Sequence, residues 1–216
     1  MDLLKDPLNK LIISLSLPAG VGMMFNTLYN VTGTFFAAKI STLAVAGMAM
    51  SFLLYLSVVG IGLGFGSALT ALIGNSLGAN KPKMAKLYAA NGIIFVLLFA
   101  LFMGLCGYLL APNLLVILGA DHHYINEALD YAGVIFLAAP FFLLIKSLNG
   151  ILVALGDTKS YRNWLFCGLF INAFFCYLFA FIFALGVKGL ALATASVQFL
   201  GMIYLFLKVR KSKMIE

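Results

Sequence analysis

Acidic side chains are what this sequence has least of: seven Asp and Glu in 216 residues, against fourteen Lys and Arg. None of the seven lies in the interior of an apolar run, and Glu127 and Asp130 stand only at the start of the fourth one. A buried proton or sodium site needs an anionic oxygen or a titrating group, so the runs themselves exclude one. Cysteine is sparse too. Cys106, Cys167 and Cys176 all sit inside apolar runs, an odd buried set that excludes a disulfide framework. There is no phosphate-binding Gly-rich loop ending in Lys-Ser/Thr and no His-Glu-x-x-His. The expectation is a protein that is not an enzyme and carries no cofactor. Adjacent His122 and His123 beside Asp121 point apart in most backbones, so that stretch reads as a solvated turn and no metal site is expected.

What is there is apolar. Hydrophobic residues make up 63% of the chain, charged residues 10%, and the mean hydropathy is +1.08. This is the composition of an all-α, multi-pass integral membrane protein. A net charge of +7 would suggest nucleic acid for a soluble chain, but here the bases gather in the loops between apolar runs, as the positive-inside rule expects. Membrane lipid, not nucleic acid, is the expected surrounding. The first run is too long for a signal-peptide core, contains Pro18 and follows the mixed-charge stretch MDLLKDPLNK, so it is expected to be retained as a span.

Charge-free runs place the spans, since about 20 apolar residues cross the hydrocarbon core. The second run, 40–80, is too long for one upright span and barely long enough for two. Charge decides. Read as one helix, it leaves both termini and the 77–86 and 156–162 loops on one side with eleven Lys and Arg, against Lys39 and Lys188 on the other. Splitting it would move Lys81, Lys83 and Lys86 outside and destroy that bias. The reading is six helices, at about 11–38, 45–76, 87–111, 126–156, 163–186 and 189–209, in one domain over 1–216, with both termini cytoplasmic in the plasma membrane. Gly60, Gly62, Gly64 and Gly66 suit close helix packing or local bending. Pro18 and Pro140 should kink the first and fourth spans, and Pro112 should mark the end of the third.

One polar line stands out. Asn26, Asn30 and Gly33 of PAGVGMMFNTLYNVTGTFF share a helix face. An amide left alone in hydrocarbon costs several kcal/mol, so this face either packs against other helices or lines a water-filled cavity where a solute or ion binds.

Four stretches, LYNVTGTFFAAKISTLAVAGM, IGNSLGANKPKMAK, LNGILVALGDTKSYRN and INAFFCYLFAFIFALGVKGLALATAS, resemble in order and spacing the N-terminal lobe of the multidrug and toxic compound extrusion (MATE) transporters. The resemblance implies a six-helix bundle that is one half of a twelve-helix antiporter, exporting drug-like or organic solutes by alternating access. It makes Asn172 and Thr194 the lobe's polar ligands, adds the amide of Asn149, and matches Pro18 to a bending proline of the first helix. It also marks two departures: Gly33 and Cys176 stand where aspartates are expected, facing each other across the polar core. By that logic the lobe is not itself the coupling site.

Lys146 sharpens the departure, three residues before Asn149 and on its face. A cation in mid-membrane costs roughly 3 kcal/mol on insertion scales and needs a carboxylate, carbonyls or water. Either it is a deprotonated or snorkelling amine, or it is a fixed charge that replaces the missing ion or meets an anionic group on the solute. The expected partners are a small-molecule solute and a second six-helix lobe, from a second copy or a separate chain. The alternatives are a lipid-linked-precursor flippase of the same superfamily and a non-transporting truncated or regulatory subunit.

Overall fold

Small residues recur in steps of four along the second apolar run, at Gly47 and Ser51 and again at Gly62, Gly66 and Thr70. In the computed structural model, which describes residues 8–212 and 214, this row is the seam of the bundle. The helices are α1 (Leu8–Ile40), α2 (Thr42–Gly78), α3 (Pro82–Ile117), α4 (Ile125–Leu137), α5 (Ala139–Ala154), α6 (Lys159–Tyr177) and α7 (Gly186–Lys211). A π-helical turn, Leu178–Ile182, extends α6. Among the described residues there is no strand.

The second run is a single helix of 37 residues. Its small-residue row meets α4 at one end and α5 at the other. A Cβ on Gly66 would stand 2.8 Å from the Lys146 carbonyl oxygen, and one on Gly150 would press into the Gly66 carbonyl, so the two backbones are in direct contact. The Thr70 hydroxyl donates to the Gly66 and Gly150 carbonyls, each at 2.9 Å. Ser51 does the same between Gly47 and Ala128, at 2.9 and 2.8 Å. With hydrocarbon outside, such close approach and hydrogen bonding are what hold membrane helices together. Gly60 and Gly64 meet nothing within 4 Å, so only half of the glycine quartet packs closely.

The fourth span is broken at Ala138 and bends by 50° between α4 and α5, with Pro140 in the first turn of α5. Proline has no N–H for the preceding turn and its ring crowds that turn's carbonyl, which is the cause of the bend. Pro112 does the opposite of what the sequence suggests: α3 runs through it to Ile117. The one hydrogen bond lost there is outweighed by burial of Ala111 and Leu115 against the bundle. Pro18 lies within α1, but its side chain, and with it the expected kink, is outside the described residues.

Helix ends are set by local chemistry. Asn80 takes the left-handed conformation (φ 57°), and the N–H groups of Asn80 and Lys81 return to the carbonyls of Leu77 and Ser76, after which Pro82 opens α3. Gly156 (φ 82°) closes α5 in the same way, with Asp157 N–H on the Leu152 carbonyl at 2.8 Å.

The core holds Val58, Leu115, Ile135, Phe142 and Leu143 around the bend, and Ile73, Ile145, Ile151 and Leu205 towards one end. That end also carries Lys81, Lys83, Lys86, Lys159, Arg162, Lys208, Arg210 and Lys211, and is called the basic end below. The outside is apolar: Ile117 is 80% exposed and Phe102 67%. Four helices, and a fifth if α4 and α5 form one bent span, have the length and apolarity to cross a membrane among the described residues. With α1 they make the six-helix, all-α membrane bundle.

Candidate functional site

α1 leans on α6 and diverges from α2. The opening is a cavity of about 770 Å³, walled on α1 by Tyr29, Asn30, Gly33 and Phe35, on α2 by Met48 and Phe52, and floored by Tyr131, Asn172 and Thr194. Its wall is mostly apolar, and its α1 polar groups are satisfied locally. Asn30 donates its amide to the Asn26 carbonyl at 3.0 Å, and the hydroxyls of Thr27 and Thr34 donate to carbonyls one turn back.

The floor is a neutral polar knot that joins four helices. Asn172 of α6 donates its amide N–H to the Tyr29 hydroxyl of α1 at 3.0 Å, and the Cys176 thiol lies 3.6 Å from the Asn172 amide oxygen. Thr194 of α7 lies beside both phenols, Tyr29 and Tyr131 of α4, in the same lining. Asn172 is 1% exposed and Thr194 7%. No carboxylate belongs to the knot, which offers hydroxyls and an amide to a solute and no formal charge.

A second cavity of about 340 Å³ opens nearer the basic end, between α1, α2, α5 and α6. Asn26, Lys146, Asn149, Tyr161 and Arg162 supply its polar lining. The Lys146 Nζ donates to the Tyr161 hydroxyl at 2.6 Å and lies 5.1 Å from the centre of that ring. A third, small pocket of about 10 Å³ is lined by Tyr29, which also borders the larger cavity, by Asn26 and Tyr161, which also border the smaller, and by Trp164.

The six polar residues singled out in the sequence therefore do not line one cavity. Asn30, Asn172 and Thr194 belong to the larger, and Asn26, Lys146 and Asn149 to the smaller. Asn26 and Asn30 share a face, but four residues of helix rise about 6 Å, which is enough to place one in each cavity. Gly33 opens onto the larger cavity with nothing within 4 Å of where its Cβ would be. Cys176 does not face it across that space. It is 1% exposed and packs behind the floor with Ala37, Ala180, Leu190 and Ala193. Tyr29, Tyr131 and Tyr161 were missed from the sequence, although a phenol inside an apolar run has to find a partner for its hydroxyl. The His123 N–H donates to the Asp121 carboxylate at 2.9 Å in an exposed turn, and the described residues contain no cluster of His, Cys, Asp or Glu able to hold a metal.

Asp157, in the loop at the basic end, was also missed. Its carboxylate accepts from the N–H groups of Lys159 and Ser160 at 3.0 and 2.9 Å and from the Ser160 hydroxyl at 2.6 Å, which anchors the start of α6. Partial burial pushes its pKa up, but these donors and the Lys208 charge outweigh that, and the net shift is downward.

The MatE family model matches residues 18–178. The chain belongs to the MatE family. It is 25% identical over 158 residues to a FAD transporter of Shewanella oneidensis, covering 73% of this chain and 35% of that protein. The probable multidrug resistance protein YoeA of Bacillus subtilis is 27% identical over 174 residues (79% and 38%), and the multidrug export protein MepA of Staphylococcus aureus 24% over 192 (88% and 43%). Among solved structures, a MATE in the bent conformation superposes with a TM-score of 0.88 at 22% identity, over 96% of this chain and 47% of the other. A MOP-superfamily transporter from Pyrococcus furiosus gives 0.84 at 23%, over 90% and 43%. The chain thus spans less than half the length of each of these relatives.

Proposed function

We propose that this chain is one lobe of a MATE-type transporter, which exports drug-like or organic solutes by alternating access after pairing with a second lobe. The observation that carries the reading is the larger cavity: about 770 Å³, mostly apolar, with a neutral hydrogen-bonding floor, within the size range of pockets for drug-sized ligands. The names of its relatives, a FAD transporter and multidrug exporters, and its coverage of less than half of their length support the same reading. Alternating access needs two rigid bodies rocking about a site between them, and this bundle is one. The second lobe is inserted the same way and related to it by a two-fold axis along the membrane normal, with α1 and α2 at the joint. No carboxylate lies in the knot, so any ion coupling falls to the partner. No observation favours a flippase or a non-transporting subunit over this reading.

The test is ethidium accumulation in efflux-deficient bacteria that express the chain, with disulfide crosslinking of a Phe52→Cys variant in native membranes. Lowered accumulation, abolished by Asn172→Ala, together with a crosslinked pair is the expected result. Unchanged accumulation despite a crosslinked pair would overturn export, and export in liposomes by a strictly monomeric protein would overturn the need for a second lobe.

A further inference from the structure

The smaller cavity differs from the larger in charge. Two cationic side chains line it, Lys146 and Arg162, and no Asp or Glu does. Among the described residues neither cation is matched by a carboxylate. There Lys146 has one polar side-chain partner, the uncharged Tyr161 hydroxyl, which engages one of its three N–H donors. Arg162 donates, among the described residues, to the side-chain carbonyl of its neighbour Asn163, from Nε at 3.3 Å and from Nη2 at 3.0 Å. Asp157, in the loop before α6, spends its oxygens on the start of that helix. The half-buried Asn149 adds an amide that makes no side-chain hydrogen bond among the described residues. The other walls, with Val59, Leu63 and Leu165, are apolar. Lys146 is also fixed in place: its side chain lies over Gly62, where a Cβ would come within 3.2 Å of the Lys146 Cγ. A pocket with two unmatched cations, a free amide and apolar walls is complementary to one chemical class.

We propose that the smaller cavity is a second ligand site, separate from the larger one, that binds the anionic head of an amphipathic molecule, with Lys146 and Arg162 on the phosphate or carboxylate and the apolar walls around the first part of the tail. It shares no lining residue with the larger cavity. The occupant is either an anionic lipid of the surrounding leaflet or a free anionic amphiphile that enters from the basic end; the chemistry recognised is the same. The site does not depend on the export reading, because binding is measured here without transport.

The test uses the full chain in nanodiscs of phosphatidylcholine, with fluorescence of Trp164, the single tryptophan, as the signal, since it lines the small third pocket together with Tyr161 of the site. Dodecyl phosphate, titrated below its micellar concentration, is expected to change the signal saturably, whereas dodecyltrimethylammonium, with the same tail, is not. Lys146→Gln and Arg162→Gln should each weaken binding by about tenfold or more, as loss of a charge-assisted contact does, and Lys146→Arg should retain it. Asn149→Asp, which places a carboxylate beside Lys146, should abolish binding while leaving thermal unfolding nearly unchanged. If Lys146→Gln fails to fold, Arg162→Gln and Asn149→Asp still decide. Loss of the dodecyl phosphate response in phosphatidylglycerol nanodiscs would identify a lipid head as the occupant, and its persistence a free amphiphile; either supports the site. Equal binding of the two detergents, equal binding of inorganic phosphate and dodecyl phosphate, or indifference to both Arg162→Gln and Asn149→Asp would overturn it.

Discussion

The amide of Asn172 and the hydroxyl of Tyr29, 3.0 Å apart, tie α6 to α1 at the floor of the larger cavity. Both residues are nearly buried, so the loss of one deprives the second of its hydrogen bond where solvent has little access.

Tyr29→Phe is therefore expected to destabilise the bundle by about 1 kcal/mol, the usual size for a hydrogen bond whose remaining partner stays buried, and membrane examples run to the low side of that. Asn172→Leu should cost more, since it removes the centre of the knot and adds branched bulk. Thermal unfolding in mild detergent reads both, and equal stability of Tyr29→Phe and native protein would show that the bond contributes nothing.

The glycines of α2 offer a test with opposite signs on one helix. Gly66→Ala drives a Cβ towards the Lys146 carbonyl, where backbone cannot yield, and should cost about 1–3 kcal/mol as overpacking does. Gly60→Ala and Gly64→Ala meet nothing and should be neutral or stabilise by up to about 1 kcal/mol through helix propensity. A loss of equal size at all three would contradict the α2–α5 seam described above.

Restoring carboxylates should separate the two positions at which the resemblance expects aspartate. Gly33→Asp projects into open cavity and should fold, adding a site for a proton or sodium that isothermal titration can detect. Cys176→Asp places the group among Ala37, Ala180 and Leu190 and should cost several kcal/mol or prevent insertion. Saturable sodium binding by native protein, lost on Asn172→Ala, would show that the knot needs no carboxylate.

The Asp157 carboxyl is held below its usual value, so its charged form is favoured by folding. Stability from this source is present above the ordinary Asp pKa of about 3.9 and is lost as pH falls through the lower folded value. Native protein should unfold at a higher temperature than Asp157→Asn by a margin that is flat between about pH 5 and 8 and shrinks below about pH 4. A margin that grows on acidification would reverse the sign and rule out this anchoring of α6.

The sequence determined that the chain is an all-α membrane bundle and that its second apolar run is one long helix, because hydropathy acts through the bilayer, which every residue feels in the same way. It also showed that Pro140 would bend its span, since that lesion is local. Pro112 looked the same and was not, because whether a helix survives a proline depends on what buries the next turn, here Ala111 and Leu115 against the bundle. The amides were equally legible as candidates: an Asn in an apolar run needs a partner wherever it is. Which partner it finds is not local. Tertiary packing alone put Tyr29 on Asn172, 143 residues away, gave Lys146 a phenol in place of a carboxylate, hid Cys176 behind the floor, and divided the expected single polar site between two cavities that share no lining residue.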